Sequence, residues 1–275
     1  MRVDQLGLMS GTICRKKSKN QSINMPNLPT HIHFSFESLR KYNDLDLSQN
    51  LDVYLLGSTA PDIRVITKQD RSLYHFVQLD FDRVGDGIRN MQSLHPQLNN
   101  LNGKDRHTRS FMAGYASHLI LDETWITTMF RPFFSDVNLF GDRNQGLILD
   151  RALQMQLDKS YWKTLEQNLA RVEACDIKID VEFLRKEPME EWRKWISTLL
   201  NREFSWDRLE FMDNRIAKGN PKHPVIGLAK DFIADPAGGV EDILQRLPNG
   251  ILEEFSSQSL ENIDKALKEF TLCKK

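Results

Sequence analysis

The chain has 275 residues, enough for one large domain or two small ones, and Lys+Arg 37 against Asp+Glu 38 leave a formal net charge of −1. That balance supplies no global basic field, so no stable nucleic-acid binding is expected. Hydrophobic residues make up 40% of a globular composition, and no apolar run approaches the ~18 residues of a transmembrane segment.

Residues 1–24 are rich in Ser, Asn, Gln and Lys without a sustained period and read as a poorly ordered leader, with Met25 as an alternative start to Met1. They contain no apolar secretory core. The three cysteines, Cys14, Cys175 and Cys273, are odd in number and far apart, so they build neither a disulfide framework nor a CxxC knuckle. A cytoplasmic location is the expectation from both features.

From Leu28 onward the apolar spacing is helical. Helices are predicted near 34–41, 47–57, 70–79, 83–94 and 105–131, then near 144–174, 181–186, 189–201, 205–217, 223–234, 239–246 and 258–270. Pro61, Pro96, Pro132, Pro188, Pro221, Pro236 and Pro248 are read as breakers, and Gly238-Gly239 as a turn. The single short strand candidate is Asp176–Asp180, and there is no internal repeat or low-complexity tract. The expected fold class is all-α.

The helix near 105–131 carries an unusual stripe. Steps of three and four along one face meet Phe111, Tyr115, His118, Asp122, Trp125 and Met129. A carboxylate on such an apolar seam needs a strong partner, and His118 lies one turn before Asp122. A plain His–Asp hydrogen bond satisfies that pair; so does a shared cation. Three other hydrophilic side chains interrupt apolar segments in the same way: His31 in Thr30-His31-Ile32, Asp62 in the run from Leu56 to Ile63, and His75 in Leu73-Tyr-His-Phe-Val77. Imidazole nitrogen and carboxylate oxygen suit zinc when thiolates are lacking. Three histidines and two aspartates from separate segments fit a catalytic site better than a closed structural one, and a bridging Asp would permit two metals.

The order Thr-His-Ile, a Gly-x-x-x-Pro-Asp turn (Gly57–Asp62), His75, then Gly114-Tyr-Ala-Ser-His-Leu-Ile-Leu-Asp122 resembles the zinc-dependent phospholipase C family over about residues 25–135. The resemblance implies a multi-helical phospholipase C-like bundle, shared with single-strand nucleases, with a helical C-terminal extension. It implies hydrolysis of a phosphodiester or phospholipid by metal-activated water. Asp62, His75, His118 and Asp122 would ligate one zinc. Asp122 would bridge to a second zinc that His31 helps hold, a site the family completes with a free N-terminal residue. Residues 25–135 would then form the metal-binding core, with 136–275 packed on it as one continuous domain. The family's third zinc uses further histidines, but no His occurs between 119 and 222. That site is expected to be lost, or rebuilt from Glu123, Asp136 or Asp142, leaving one or two zinc ions.

Within this reading Asp62 and Asp122 are the catalytic candidates, positioning or deprotonating the nucleophile. Arg64 and Arg131 are candidates for phosphate, or else solvated surface charges. His33 would join the site if its segment were extended, since residues two apart then share a face. His95, His107 and His223 read as surface residues, with an approach to a cavity mouth open to His107. Trp162, Trp192, Trp195, Phe204, Trp206 and Phe211 fall at helical spacing and are explained by packing, although the amphipathic 189–201 helix also allows peripheral membrane contact. The 258–270 helix with its basic tail is expected to be a solvated end. Leu6–Thr12 looks like the opening of the phosphate loop of anhydro-muramic acid kinases, but the Asp-Gly pair that should follow is missing. A nucleotide phosphohydrolase of the HD type needs a contiguous His-Asp, which is also missing. The rival from another class is a non-catalytic helical module stabilised by a single metal ion.

Overall fold

Pro188 and Pro236, read as breakers, prove to open helices instead, as two further prolines do. In the computed structural model, which describes residues 27–42 and 45–271, α1 (Leu28–Tyr42) carries Pro29 in its first turn. Pro188 lies in the first turn of Lys186–Leu200, and Pro224 and Pro236 head Pro224–Ala234 and Pro236–Arg246. First-turn N–H groups have no intrahelical acceptor, so proline's missing donor removes nothing there and its fixed φ suits the helix. The expectations for residues 1–24, Leu6–Thr12, Cys14, Met25, the Phe211 side chain and Cys273 lie outside the described residues.

The chain continues through α2 (Leu45–Gln49) and α3 (Leu51–Gly57), separated at Asn50 where a single helix over 47–57 was predicted. A 3-10 turn at Ala60–Ile63 leads into α4 (Arg64–Thr67). The predicted helix 70–79 shrinks to α5 (Ser72–His75), because Phe76 turns into the left-handed region at φ 59 and donates its N–H to the Ser72 carbonyl. Then come α6 (Asp86–Leu94) and α7 (Arg106–Trp125), the latter capped by the Asp105 carboxylate accepting from the Thr108 N–H. Pro132 does not stop this helix; the chain widens into a π-helix over Ile126–Phe134 and passes through it. There follow α8 (Val137–Phe140), α9 (Arg143–Ala174), α10 (Lys186–Leu200), α11 (Arg208–Ala217), α12 (Pro224–Ala234), α13 (Pro236–Arg246) and α14 (Ile251–Thr271). The predicted helix 181–186 is a turn, and Asp176–Asp180 is not a strand, with the Lys178 N–H donating back to the Asp176 carbonyl at 3.0 Å.

The fold is all-α, and α7 is its axis. Nearly every residue of α7 from Thr108 to Trp125 is buried, as expected of a helix packed on all sides. It contacts α1, α3, α6 and α14. Two glycines set the closest of these approaches. A Cβ on Gly57 would lie 2.1 Å from the Phe111 carbonyl oxygen, and one on Gly114 would lie 1.9 Å from that of Tyr54. Only glycine at both positions lets the α3 and α7 backbones touch.

On the other side of α1, α9 supplies Asp158. Its carboxylate accepts from the Thr30 N–H at 3.2 Å, the Thr30 hydroxyl at 2.7 Å and the Asn27 amide at 2.6 Å, capping the start of α1 from another helix. The apolar core is continuous from Leu28 to Leu267. The C-terminal helix is not a solvated end: Phe255, Ile263 and Leu267 are buried, and Asn262 donates to the Thr124 hydroxyl of α7.

Candidate metal centre

The α3–α7 contact determines the orientation of His118. Its Nδ1 donates to the Ser58 carbonyl at 2.8 Å, just past the end of α3. That bond fixes the tautomer and leaves Nε2 as the lone-pair nitrogen facing inward. Asp122 follows one turn later on the same face of α7. His31 arrives from α1, its ring stacked on His118 with centroids 3.6 Å apart and planes at 7°. His75 is the last residue of α5, and Asp62 comes from the 3-10 turn after α3.

All five side chains singled out in the sequence meet. His31 Nε2 lies 3.3 Å from Asp122 Oδ1, His75 Nε2 3.2 Å from Oδ2, and His118 Nε2 3.5 Å from Oδ2. The Nε2 atoms of His75 and His118 are 3.3 Å apart, and Asp62 Oδ1 lies 3.8 Å from His75 Nε2. His31, His118 and Asp122 form one trio whose ligand atoms lie within 4.8 Å of one another, and Asp62, His75 and His118 form a second. Because His118 has only Nε2 to offer, it can serve one ion at a time.

The donor set fits zinc. Four ligands about 2.0–2.1 Å from a tetrahedral zinc stand about 3.3 Å from each other, which matches the spacings here. The buried His118 Nε2 lone pair faces another imidazole nitrogen and a carboxylate oxygen. Without a proton or cation between them, these groups repel. A cation at their common centre resolves that conflict.

Burial is the largest influence on His31, His75, His118 and Asp122. It lowers the His31 pKa, with His118 adding to the effect, and pushes His75 down to about 3, aided by Arg71. Both rings are therefore neutral, as metal ligation requires. Burial also acts to lower His118, but the Asp122 charge outweighs it and the net shift is upward. For Asp122 burial works in the raising direction, and His118 with the other two rings holds the carboxyl well below the usual range. Four of the five side chains are essentially sealed; Asp62, with 22% of its side chain exposed, is the one that reaches solvent.

The structure also brings in Arg71, which the sequence reading passed over. Its Nη2 donates to Asp122 Oδ2 at 3.2 Å, and the residue is 7% exposed. Arg71 lies in the charged stretch Lys68-Gln-Asp-Arg71, which suggests surface. The available signal was its spacing of four from His75, whose N–H donates to the Arg71 carbonyl at 2.8 Å.

Other candidates have structural duties. Glu123 accepts from the Gly85 and Gly87 N–H groups, Asp136 caps α8 and Asp142 caps α9, so none of the three rebuilds a third metal site. Arg131 donates to the Leu79 and Phe81 carbonyls and covers the Phe81 ring at 4.4 Å; it anchors a loop instead of meeting phosphate. His33 sits in a helix, not an extended segment, so it faces away from His31. Its ring stacks on Tyr161 and pairs with the Thr164 hydroxyl.

His107 lies in the first turn of α7, eleven residues or about 16 Å of helix from His118. His95 packs against Phe183, and His223 caps α12 by accepting from the Val225 N–H. In the second half Trp192 is buried, stacks on Trp195 and donates to the Thr59 hydroxyl, three residues before Asp62. The α10 helix thus braces the turn that carries Asp62, the most exposed side chain of the cluster.

The family model described as zinc dependent phospholipase C matches residues 30–125, a span that contains all five converging side chains and Arg71. No curated protein and no solved structure matches the chain at a significant level.

Proposed function

Since residues 30–125 belong to the zinc-dependent phospholipase C family, we propose that the protein is a zinc-dependent phosphodiester hydrolase acting on a phospholipid or a related phosphodiester. The observation that carries this reading is the convergence of His31, Asp62, His75, His118 and Asp122 at zinc-ligand spacing. Zinc, when bound, supplies Lewis-acid polarisation of a phosphoryl oxygen and makes water at the site more acidic.

The chain's own residues divide the remaining work. His31, His75 and His118 hold the metal as neutral imidazoles, with His118 oriented by the Ser58 carbonyl. Asp122 stays ionised between the rings and acts as ligand, and as the bridging group if a second ion binds. Asp62 combines a place beside His75 with access to solvent, so it orients the attacking water and accepts its proton. Asp122, enclosed by the three rings and Arg71, is the poorer base of the two catalytic candidates. With Glu123, Asp136 and Asp142 engaged elsewhere, one or two ions are proposed, not three. The buried free thiol of Cys175, pushed up to about 12 by burial, is consistent with a cytoplasmic, reducing location.

A second reading is favoured by the near-complete burial of the cluster: a helical module in which one fully ligated ion ties the segments together. Zinc content and turnover of a phosphodiester by the purified full chain separate the two. The enzyme reading expects bound zinc and hydrolysis of a phosphatidylcholine vesicle or a chromogenic phosphodiester, both lost in Asp122→Asn. Zinc retained with no hydrolysis of either substrate leaves the scaffold, and absence of zinc removes both.

A further inference from the structure

We propose that Arg71 is the oxyanion-binding group of this centre, receiving the non-bridging oxygens of a phosphoryl group beside the His/Asp cluster. The inference rests on reading that cluster as a metal centre and adds a residue that touches the ligand.

Arg71 is 7% exposed, yet it spends only Nη2 on Asp122, and its Nε and Nη1 are buried without a hydrogen-bond partner. A guanidinium presents five donors in a rigid fork, and leaving several unmet in a buried site is costly. The protein therefore holds a cation poised for a ligand that supplies acceptor oxygens and negative charge.

Two further features narrow the ligand class. Arg64, on the neighbouring α4, is close enough for its charge to disfavour that of Arg71, and its own Nε is buried without a partner. Burial is the largest influence against the Arg71 charge, Asp122 and Asp62 favour it, and Arg64 is a second cation beside it. The same guanidinium is anchored through the carboxylate that links all three imidazoles, so an oxyanion held by its free N–H groups lies beside the cluster. A planar fork with free donors matches a tetrahedral oxyanion such as phosphate, and Arg binds it bidentately where Lys acts as a point charge.

Inorganic phosphate is the probe. Calorimetric titration into zinc-free and zinc-loaded full-length protein, with zinc content measured in parallel, compares wild type with Arg71→Met and Arg71→Lys. The expected result is a loss of about 10- to 100-fold in phosphate affinity for Arg71→Met at unchanged zinc content, and a smaller loss for Arg71→Lys. If Arg71→Met fails to fold, weakened binding by Arg71→Lys supports the assignment and unchanged binding overturns it. Equal phosphate affinity in wild type and Arg71→Met, or no binding by wild type in either state, overturns it. So does a fall in zinc content that tracks the loss of phosphate, since Arg71 would then only position Asp122. Failure of the enzyme reading is a separate result: Arg71-dependent phosphate binding without hydrolysis removes that reading and leaves this one.

Discussion

Asp122 and Asp150 are both buried carboxylates, yet their surroundings hold them in opposite states. Asp122 faces three imidazoles and a guanidinium and is kept ionised well below the usual carboxylate range. Asp150, on α9, accepts from the neutral Trp125 indole at 2.9 Å and Gln154 amide at 3.0 Å, and burial pushes it up to about 7 even with Arg151 nearby. Asp158 behaves in the same way at about 6, and so does Glu123 at about 7. Buried acids met by neutral N–H and O–H donors tie elements together: Asp158 caps α1, Glu123 grips the Gly85–Gly87 turn, and Asp150 pins Trp125. A buried acid ringed by lone-pair nitrogens marks a place for a cation.

The largest expected difference between the two sites comes from neutralising each acid. Asp122→Asn should lower zinc affinity by at least about a hundredfold, beyond the loss typical of residues that only support a ligand. Asp150→Asn should leave zinc affinity unchanged, and equal losses in both variants would erase the distinction. The contact that orients His118 is tested by Gly114→Ala. The added Cβ meets the Tyr54 carbonyl, so a loss of about 3 kcal/mol or more in urea unfolding is expected.

Metal removal sharpens the contrast. Zinc at a hundred times its dissociation constant stabilises the native state by about 2.7 kcal/mol. For a chain of this size, chelation should lower the melting midpoint by on the order of 5–10 °C. That drop should persist in Asp150→Asn and vanish in Asp122→Asn.

The smallest effect is in pH dependence. An unfolded Asp carboxyl titrates near 4, whereas Asp150 titrates at about 7 in the fold. Stability from its protonated form is fully present below about pH 4 and lost as pH rises to about 7. Because Asn does not titrate, Asp150→Asn should gain on wild type, by up to a few kcal/mol, across that window. Denaturant midpoints at a series of pH values show it, and a difference that is flat with pH would mean Asp150 is ionised in the fold.

Much of the cluster was legible because its members are polar residues stranded in apolar segments. His118 and Asp122 share a helical face at a spacing of four, and the glycines at 57 and 114 mark the close approach that aims them. Helix ends were harder to read. Pro188 and Pro236 were taken as breaks, although a first-turn proline has no N–H to lose. The left-handed turn at Phe76 leaves no mark in the sequence, so α5 was drawn too long. Arg71 was hidden by its charged neighbours, and its burial depends on contact with α7, fifty-one residues away. The duties of Glu123, Asp136 and Asp142 likewise depended on partners that ligand counting does not see.

The most direct test of the centre is X-ray absorption at the zinc edge of the purified, zinc-loaded protein. The account expects nitrogen and oxygen neighbours at about 2.0–2.1 Å, outer-shell scattering from several imidazoles, and no sulfur near ~2.3 Å. Zinc bound through sulfur, or without imidazole scattering, would contradict the claim that these five side chains form a zinc centre.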